Sequence, residues 1–197
     1  MKEIYFETIK CYNYDIYNLT YHINRISNTI GLNINLQEYI YPPNKSLLKC
    51  KVIYDKNGIL NILYSPYKKR LINTFKLIYD DNIIYNKKST NRKLIDNLFF
   101  KKGLSDEIII IKNNLITDTS IANIAIFYNN QWITPKSPLL HGTSLQRHLN
   151  NDKIIQKDIS VKMLKDAKKI ALLNAMIDFD IIDNYILNHP IKNSLNE

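Results

Sequence analysis

Cysteine, glycine and arginine are all scarce in this chain. Only Cys11 and Cys50 occur among its 197 residues. They form neither a C-x-x-C pair nor a dense framework, which removes disulfide and zinc scaffolds. Long apolar runs are absent too: the densest is IIII at 108–111, far short of the roughly 20 residues that a membrane-spanning helix needs. The opening MKEIYFETIK carries Glu3 and Glu7 and has no apolar stretch ending in small residues. It therefore reads as no secretory signal, and the expected location is cytoplasmic. Walker loops, G-x-G-x-x-G and G-x-S-x-G are missing, so the P-loop, Rossmann and nucleophile-elbow readings fall away. His22, His141, His148 and His189 show no H-E-x-x-H and no paired-cysteine spacing, and no metal site is expected. Only four glycines occur, at 31, 58, 103 and 142, so each is expected to answer a backbone need.

What is present is an ordinary globular composition, 45% hydrophobic and 23% charged, which disfavours global disorder. The net charge of +9 and pI near 9.3 invite a nucleic-acid partner. The kind of charge argues against it. Nearly all of it is lysine, scattered and not interleaved with aromatics on one element, which fits compositional drift towards Lys, Asn and Ile better than a binding face. Neither nucleic acid nor membrane is expected as a partner. The drift makes the four arginines, Arg25, Arg70, Arg92 and Arg147, informative. Each is a place where a rigid guanidinium fork could hold phosphate or carboxylate.

Along the chain, Lys2 to Lys10 reads as a strand with Ile4, Phe6 and Thr8 on one face and Tyr5, Glu7 and Ile9 on the other. Leu19, Ile23, Ile26 and Ile30 fall at helical spacing and Gly31 supplies a stop, with Arg25 beside the apolar stripe. LLKCKVIYDKNGILNILYSPY predicts a hairpin through a type I′ turn at Asn57-Gly58. LINTFKLIYDDNIIYNKK predicts two further strands. Ser89 or Thr90 is expected to cap a helix carrying Leu94, Ile95, Leu98 and Phe99. Beyond residue 104 come short strands separated by Asn-rich turns, then a helix over 142–150 opening on glycine, then strand, helix, strand. The fold class is α+β in two small subdomains, 1–87 and 88–197.

Seven stretches, in order, carry a resemblance: FETI at 6–9, HINRIS at 22–27, KSTNR at 88–92, ITDTSIANI at 116–124, WITP at 132–135, LLHGTS at 139–144 and LLNAM at 172–176. Together they resemble the class IV aminotransferases, the fold type IV enzymes that include branched-chain and D-amino acid transaminases and aminodeoxychorismate lyase. The resemblance implies pyridoxal 5′-phosphate as cofactor, bound between the two subdomains of a homodimer, and a small-molecule amino substrate. KSTNR is similar to the family's K-x-x-N/D-R, in which the lysine carries the cofactor. Strand alternation alone does not separate Lys87 from Lys88, and the spacing to Arg92 selects Lys88. That lysine must be partly neutral, hence desolvated and lowered in pKa.

Asp118 matches the position where the family usually places the glutamate that keeps the cofactor's ring nitrogen protonated. It is one methylene shorter. Arg25 matches the phosphate-binding arginine, and Asn174 a position near the phosphate. Gly142, Thr143 and Ser144 open a predicted helix, where free N–H groups, the dipole and two hydroxyls favour an anion. Where the family often has arginine after its glycine-threonine pair, Leu145 stands here, with Arg147 two residues on. Arg70 is the remaining candidate for a substrate carboxylate. The N-terminal segment of longer members is not expected, and the stretch between Arg25 and Lys88 is short. The compact lyase members are the nearest in look, which favours 4-amino-4-deoxychorismate lyase, giving 4-aminobenzoate and pyruvate on the folate route. An amino acid transaminase, or a degenerate member that binds cofactor without turnover, uses the same apparatus.

Overall fold

Alternation along the first strand sets the first layer. In β1 (Tyr5–Tyr12), Tyr5, Glu7, Ile9 and Cys11 are buried while Phe6, Thr8 and Lys10 are partly open. The chain is described by a computed structural model over residues 3–188, so Lys2 at the start of the predicted strand and His189 lie outside the described residues. An antiparallel sheet forms in the order β2-β1-β3-β4, with β2 (Asp15–Ile16), β3 (Leu48–Asp55) and β4 (Gly58–Pro66). Helix α1 (Leu19–Ile30) covers one face. Its Ile26 is packed among Tyr5, Ile9, Cys11, Val52 and Tyr54, with Leu19, Ile23 and Ile30 at the margin as the helical spacing predicts. Gly31 ends it at φ 76°, a left-handed conformation that costs glycine nothing.

The hairpin forms, but not through the predicted turn. Asp55 pairs with Gly58, so the two loop residues are Lys56 and Asn57. Among these four, only Gly58 has a positive φ, 126°, whereas a type I′ turn needs two such residues. The Asp55 carboxylate accepts from the Asn57 N–H at 2.8 Å, which stabilises the observed turn, and a bulge at Ile53/Tyr54 absorbs the change of register.

The second layer is built from β5 (Thr74–Tyr79), β6 (Glu107–Lys112), β7 (Leu115–Thr119), β8 (Asn123–Tyr128), β9 (Gln131–Pro135) and β10 (Ile155–Lys157). To these are added β11 (Lys169–Asn174), β12 (Asp178–Ile182) and β13 (Ile186–Asn188). The order is β10-β9-β8-β7-β6-β5-β13, with β11 also pairing β8 and β12 pairing β11. Three helices accompany it, α2 (Lys93–Phe100), α3 (Thr143–Asn150) and α4 (Val161–Asp166). The IIII run is β6, buried on both faces. Ile109 and Ile111 pack with Phe75, Leu77 and Ile124, while Ile108 and Ile110 pack with Ile95 and Leu98 of α2. A strand covered on both sides reads as a continuous apolar run.

Three expectations change here. Only β5 is a strand between residues 71 and 88, since residues 83–85 run without ladder pairing. Neither Ser89 nor Thr90 caps α2, because both are drawn to β1: Ser89 bridges Tyr5, and Thr90 donates its N–H and its hydroxyl to the Ile4 carbonyl. The helix starts later, with Arg92 as N-cap. Finally, the sheets part between Pro66 and Thr74, ahead of the 87/88 boundary read from sequence, because β5 pairs in parallel with β6 across the α2 crossover.

Ile109 is fully buried in the larger cluster. Ile109→Ala is expected to lower the unfolding free energy by about 2 to 5 kcal/mol, read by urea denaturation.

Candidate functional site

A cavity of about 520 Å³ lies between the two sheets. It is lined from the first layer by Phe6, Thr8 and Arg25, and from the second by Asp118 to Asn123, Gly142, Thr143 and Leu173 to Ile177, with Lys88 and Arg92 between. The alternation of β1 decides this arrangement. Phe6 and Thr8 face the cavity, and Glu7 turns into the first core.

Lys88 reaches the cavity because residues 88–90 run beside β1. The Phe6 N–H donates to the Lys88 carbonyl at 2.9 Å, and the Thr90 N–H donates to Ile4 at 2.9 Å. The Lys88 ammonium sits 4.8 Å from the centre of the Phe6 ring. Burial is the main cause that pushes its pKa down to about 7, helped by the positive charges of Arg25 and Arg92 and opposed by Glu7. Lys87 is exposed, with its amine 5.5 Å from the Tyr5 ring, and does not line the cavity.

Asp118 lies in β7 opposite Asn123 of β8. Its carboxylate accepts from the Asn123 side-chain amide at 2.7 Å and from the Leu140 N–H at 2.9 Å. Burial nevertheless pushes its pKa up to about 7. Asn123 also donates to the Leu140 carbonyl at 2.7 Å, so one amide fastens the carboxylate to the loop that precedes α3. Gly142 is demanded by this contact: a Cβ there would stand 2.0 Å from Asn123 Oδ1. Gly142 is the N-cap of α3 and makes no side-chain cap, so the first N–H groups of the helix lie open beside the cavity.

Of the two hydroxyls expected at this helix start, only Thr143 lines the cavity. Ser144 is buried and donates to the Asp178 carbonyl at 2.8 Å. Arg147 pairs with the Asp178 carboxylate, joined by His148 at 2.9 Å, and lies off the cavity. These contacts hold α3 against the turn at Asp178, a residue at φ 61°. Asn174 lines the cavity, but its side-chain oxygen accepts from the N–H groups of Met176 and Ile177, which shapes that turn. Arg70 lies on the wall half-exposed, with its guanidinium donating to the Asp106 carbonyl at 2.8 Å, 3.7 Å from Glu107 and over the Phe99 ring. One guanidinium nitrogen is thereby held by the protein, at the exposed rim of the cavity.

Four side chains, Glu7, His22, Asn123 and Arg92, were given no contact in the site from the sequence. Arg25 is held by Glu7 through its Nε at 2.8 Å and through Nη2, and His22 Nδ1 stands 2.6 Å from the same carboxylate. Asn123 and Arg92 are the others, the latter donating to the Ser120 carbonyl at 2.9 Å and so tying the Lys88 segment to β7. For Glu7 the signal was present: it shares a strand face with Tyr5 and Ile9, and a carboxylate on an apolar face needs a cation. A wall with an amine poised near neutrality, a buried carboxylate, a guanidinium and an open helix start is suited to an aldehyde-bearing phosphate ester.

The comparisons with known proteins agree with this architecture. The model of the amino-transferase class IV family matches residues 64–183. An uncharacterised protein of Haemophilus influenzae is 35% identical over 135 residues, covering 68% of this chain and 71% of that one. A crystal structure from Haemophilus somnus, of a protein provisionally assigned as a 4-amino-4-deoxychorismate lyase, superimposes with a TM-score of 0.82 at 32% identity, covering 89% of this chain and 97% of that one. A hypothetical aminotransferase from Mycobacterium tuberculosis in its PLP-bound form shares the fold at 13% identity, with a TM-score of 0.75, over 96% of this chain and 84% of that one. With the family match extending over more than half of the chain and onto the strands that wall the cavity, the protein belongs to the class IV aminotransferase family.

Proposed function

We propose that this chain is a pyridoxal-phosphate enzyme acting on a small amino substrate, and that its reaction is that of a 4-amino-4-deoxychorismate lyase. The observation that carries the reading is Lys88, whose amine is held near neutrality in the same cavity as buried Asp118. The residues present fit the cofactor. The open start of α3 at Gly142 and Thr143, together with Arg25, would hold a phosphate. Lys88 would hold the aldehyde carbon, and Asp118 the ring nitrogen. Ser144 and Arg147 are engaged elsewhere and are assigned no such role; Arg70, on the cavity wall, stays the candidate for a substrate carboxylate, and Asn174 contributes the shape of the wall. When bound, the cofactor supplies an electron-withdrawing ring that stabilises negative charge on the substrate.

The chain's own groups would do the rest. Neutral Lys88 Nζ accepts the proton released from the substrate ring carbon, and its lowered pKa leaves a large neutral fraction at pH 7 for that task. Asp118, whose pKa burial pushes up to about 7, ionises fully once a cationic nitrogen lies beside it. Support for the lyase over a transaminase comes from the Haemophilus somnus relative, matched over nearly its whole length. A homodimer belongs to the same reading. A cytoplasmic enzyme of the folate route completes it.

Borohydride reduction of the loaded protein followed by peptide mass spectrometry is expected to find the cofactor on Lys88; cofactor on Lys87, or on no lysine, overturns the assignment. Because only the neutral amine reacts, capture of pyridoxal phosphate by the cofactor-free protein should rise about tenfold per pH unit and level off near pH 7. A rate still climbing towards pH 10 would mean an ordinary surface lysine.

Asp118→Asn should retain the cofactor yet lose turnover on the order of a hundredfold, measured as kcat. Near-normal rates would assign the ring nitrogen to another acid.

With aminodeoxychorismate, equal amounts of 4-aminobenzoate and pyruvate should form without any keto acid. Turnover that stalls until a keto acid is added makes the enzyme a transaminase, and absence of turnover on every amino substrate makes it the degenerate member.

A further inference from the structure

Behind the cavity wall, Glu7 is fully buried in the first core, where an uncompensated carboxylate would be very costly. Burial alone would raise its pKa, but the Arg25 guanidinium and the bond to His22 hold it at about 2. It is therefore an anion, and two edges of Arg25, Nε and Nη2, point at it. The third nitrogen, Nη1, reaches the His141 carbonyl at 3.4 Å, in the loop that leads into Gly142 and α3. Arg25 thus spans from β1 to the helix start, and its direction into the cavity depends on what holds its other two edges.

His22 completes the arrangement from one turn earlier on α1. It is fully buried, and burial lowers its pKa, so the ring is neutral at pH 7. A carboxylate only accepts hydrogen bonds, so the ring proton must lie on Nδ1, 2.6 Å from Glu7 Oε2. Nε2 is then left buried without a partner among the described residues. That exposes the geometry as a one-sided brace: the ring has one polar contact, and it fixes the carboxylate.

We propose that Glu7, braced by His22, is a positioning residue that aims Arg25 at the phosphate of the cofactor. The inference rests on the cofactor reading above, and it assigns to the first layer a share of the phosphate site that neither FETI nor HINRIS conveys as a linear motif. Glu7 also compensates the Arg25 charge beside Lys88, since it acts to raise the lysine pKa where Arg25 lowers it.

The test compares pyridoxal phosphate with pyridoxal, which lacks the phosphate, by titration of the cofactor-free full chain. An effect on the Lys88 amine alters both ligands alike and cancels in their ratio. In Glu7→Gln, pyridoxal phosphate affinity should fall tenfold or more while pyridoxal affinity stays within twofold. On an Arg25→Ala background, the same change should move the ratio less than twofold, since there is no guanidinium left to aim. Equal weakening of both ligands by Glu7→Gln, or an unchanged ratio, overturns the positioning role and leaves the cofactor reading standing. A wild-type chain that binds neither ligand overturns both. Should Glu7→Gln not fold, nitrogen-15 NMR of the wild-type protein decides: the His22 ring should carry a proton on Nδ1 at about pH 7, and a neutral ring protonated on Nε2 alone removes the brace and the proposal with it.

Discussion

Main-chain hydrogen bonds between β1 and residues 88–90 hold the site together. Phe6 donates to Lys88 and Thr90 to Ile4, and through them a short segment far along the chain becomes a neighbour of the first strand. Everything else in the cavity is referred to that contact. It brings the amine of Lys88 over the Phe6 ring and sets Arg92 within reach of Ser120, just past β7. It also diverts Ser89 and Thr90 from the helix-capping role that their position suggested, and α2 begins at Lys93 instead.

Burial then does opposite things to two groups in the same space. It disfavours the charged form of each, so the Lys88 amine is pushed down to about 7 and the Asp118 carboxyl up to about 7. An amine made neutral is ready to react with an aldehyde; a carboxyl made reluctant to ionise is ready to gain from a nearby cation. A polar framework stands behind them. Asn123 fastens Asp118 to the loop before α3, Ser144, Arg147 and His148 fasten α3 to Asp178, and Glu7 fastens Arg25. Side chains that looked available in the sequence are therefore divided by the fold into those that face the cavity and those that hold the wall.

How legible this was depended on the range of the interaction concerned. Gly31 as a helix stop, the apolar stripe of α1, the alternation of β1 and the opening of α3 on Gly142 are local, governed by backbone sterics and by the period of each element, and the structure keeps them. The type I′ turn at Asn57-Gly58 failed even though it is local, because the Asp55 carboxylate offered the turn another hydrogen bond and a bulge changed the register. That β5 joins the second sheet was not legible, because β5 has no local reason to join β6; the parallel pairing needs the α2 crossover. Strands β12 and β13 went unread, being short and defined by the partners they extend.

By itself the sequence determined the class of the fold, the elements whose periodicity is strong and, through the order of its short motifs, the family. It also determined which residue types could serve a phosphate, an aldehyde and a ring nitrogen. Only the tertiary structure decided their assignment: that Thr143 and not Ser144 lines the cavity, that Arg147 is paired with Asp178, and that Glu7 and His22 stand behind Arg25. The physical reason is that a side chain's role depends on its solvation and its partners, and both are set by contacts between residues far apart in the chain, whereas spacing along the chain specifies only the direction in which each side chain leaves its own strand or helix.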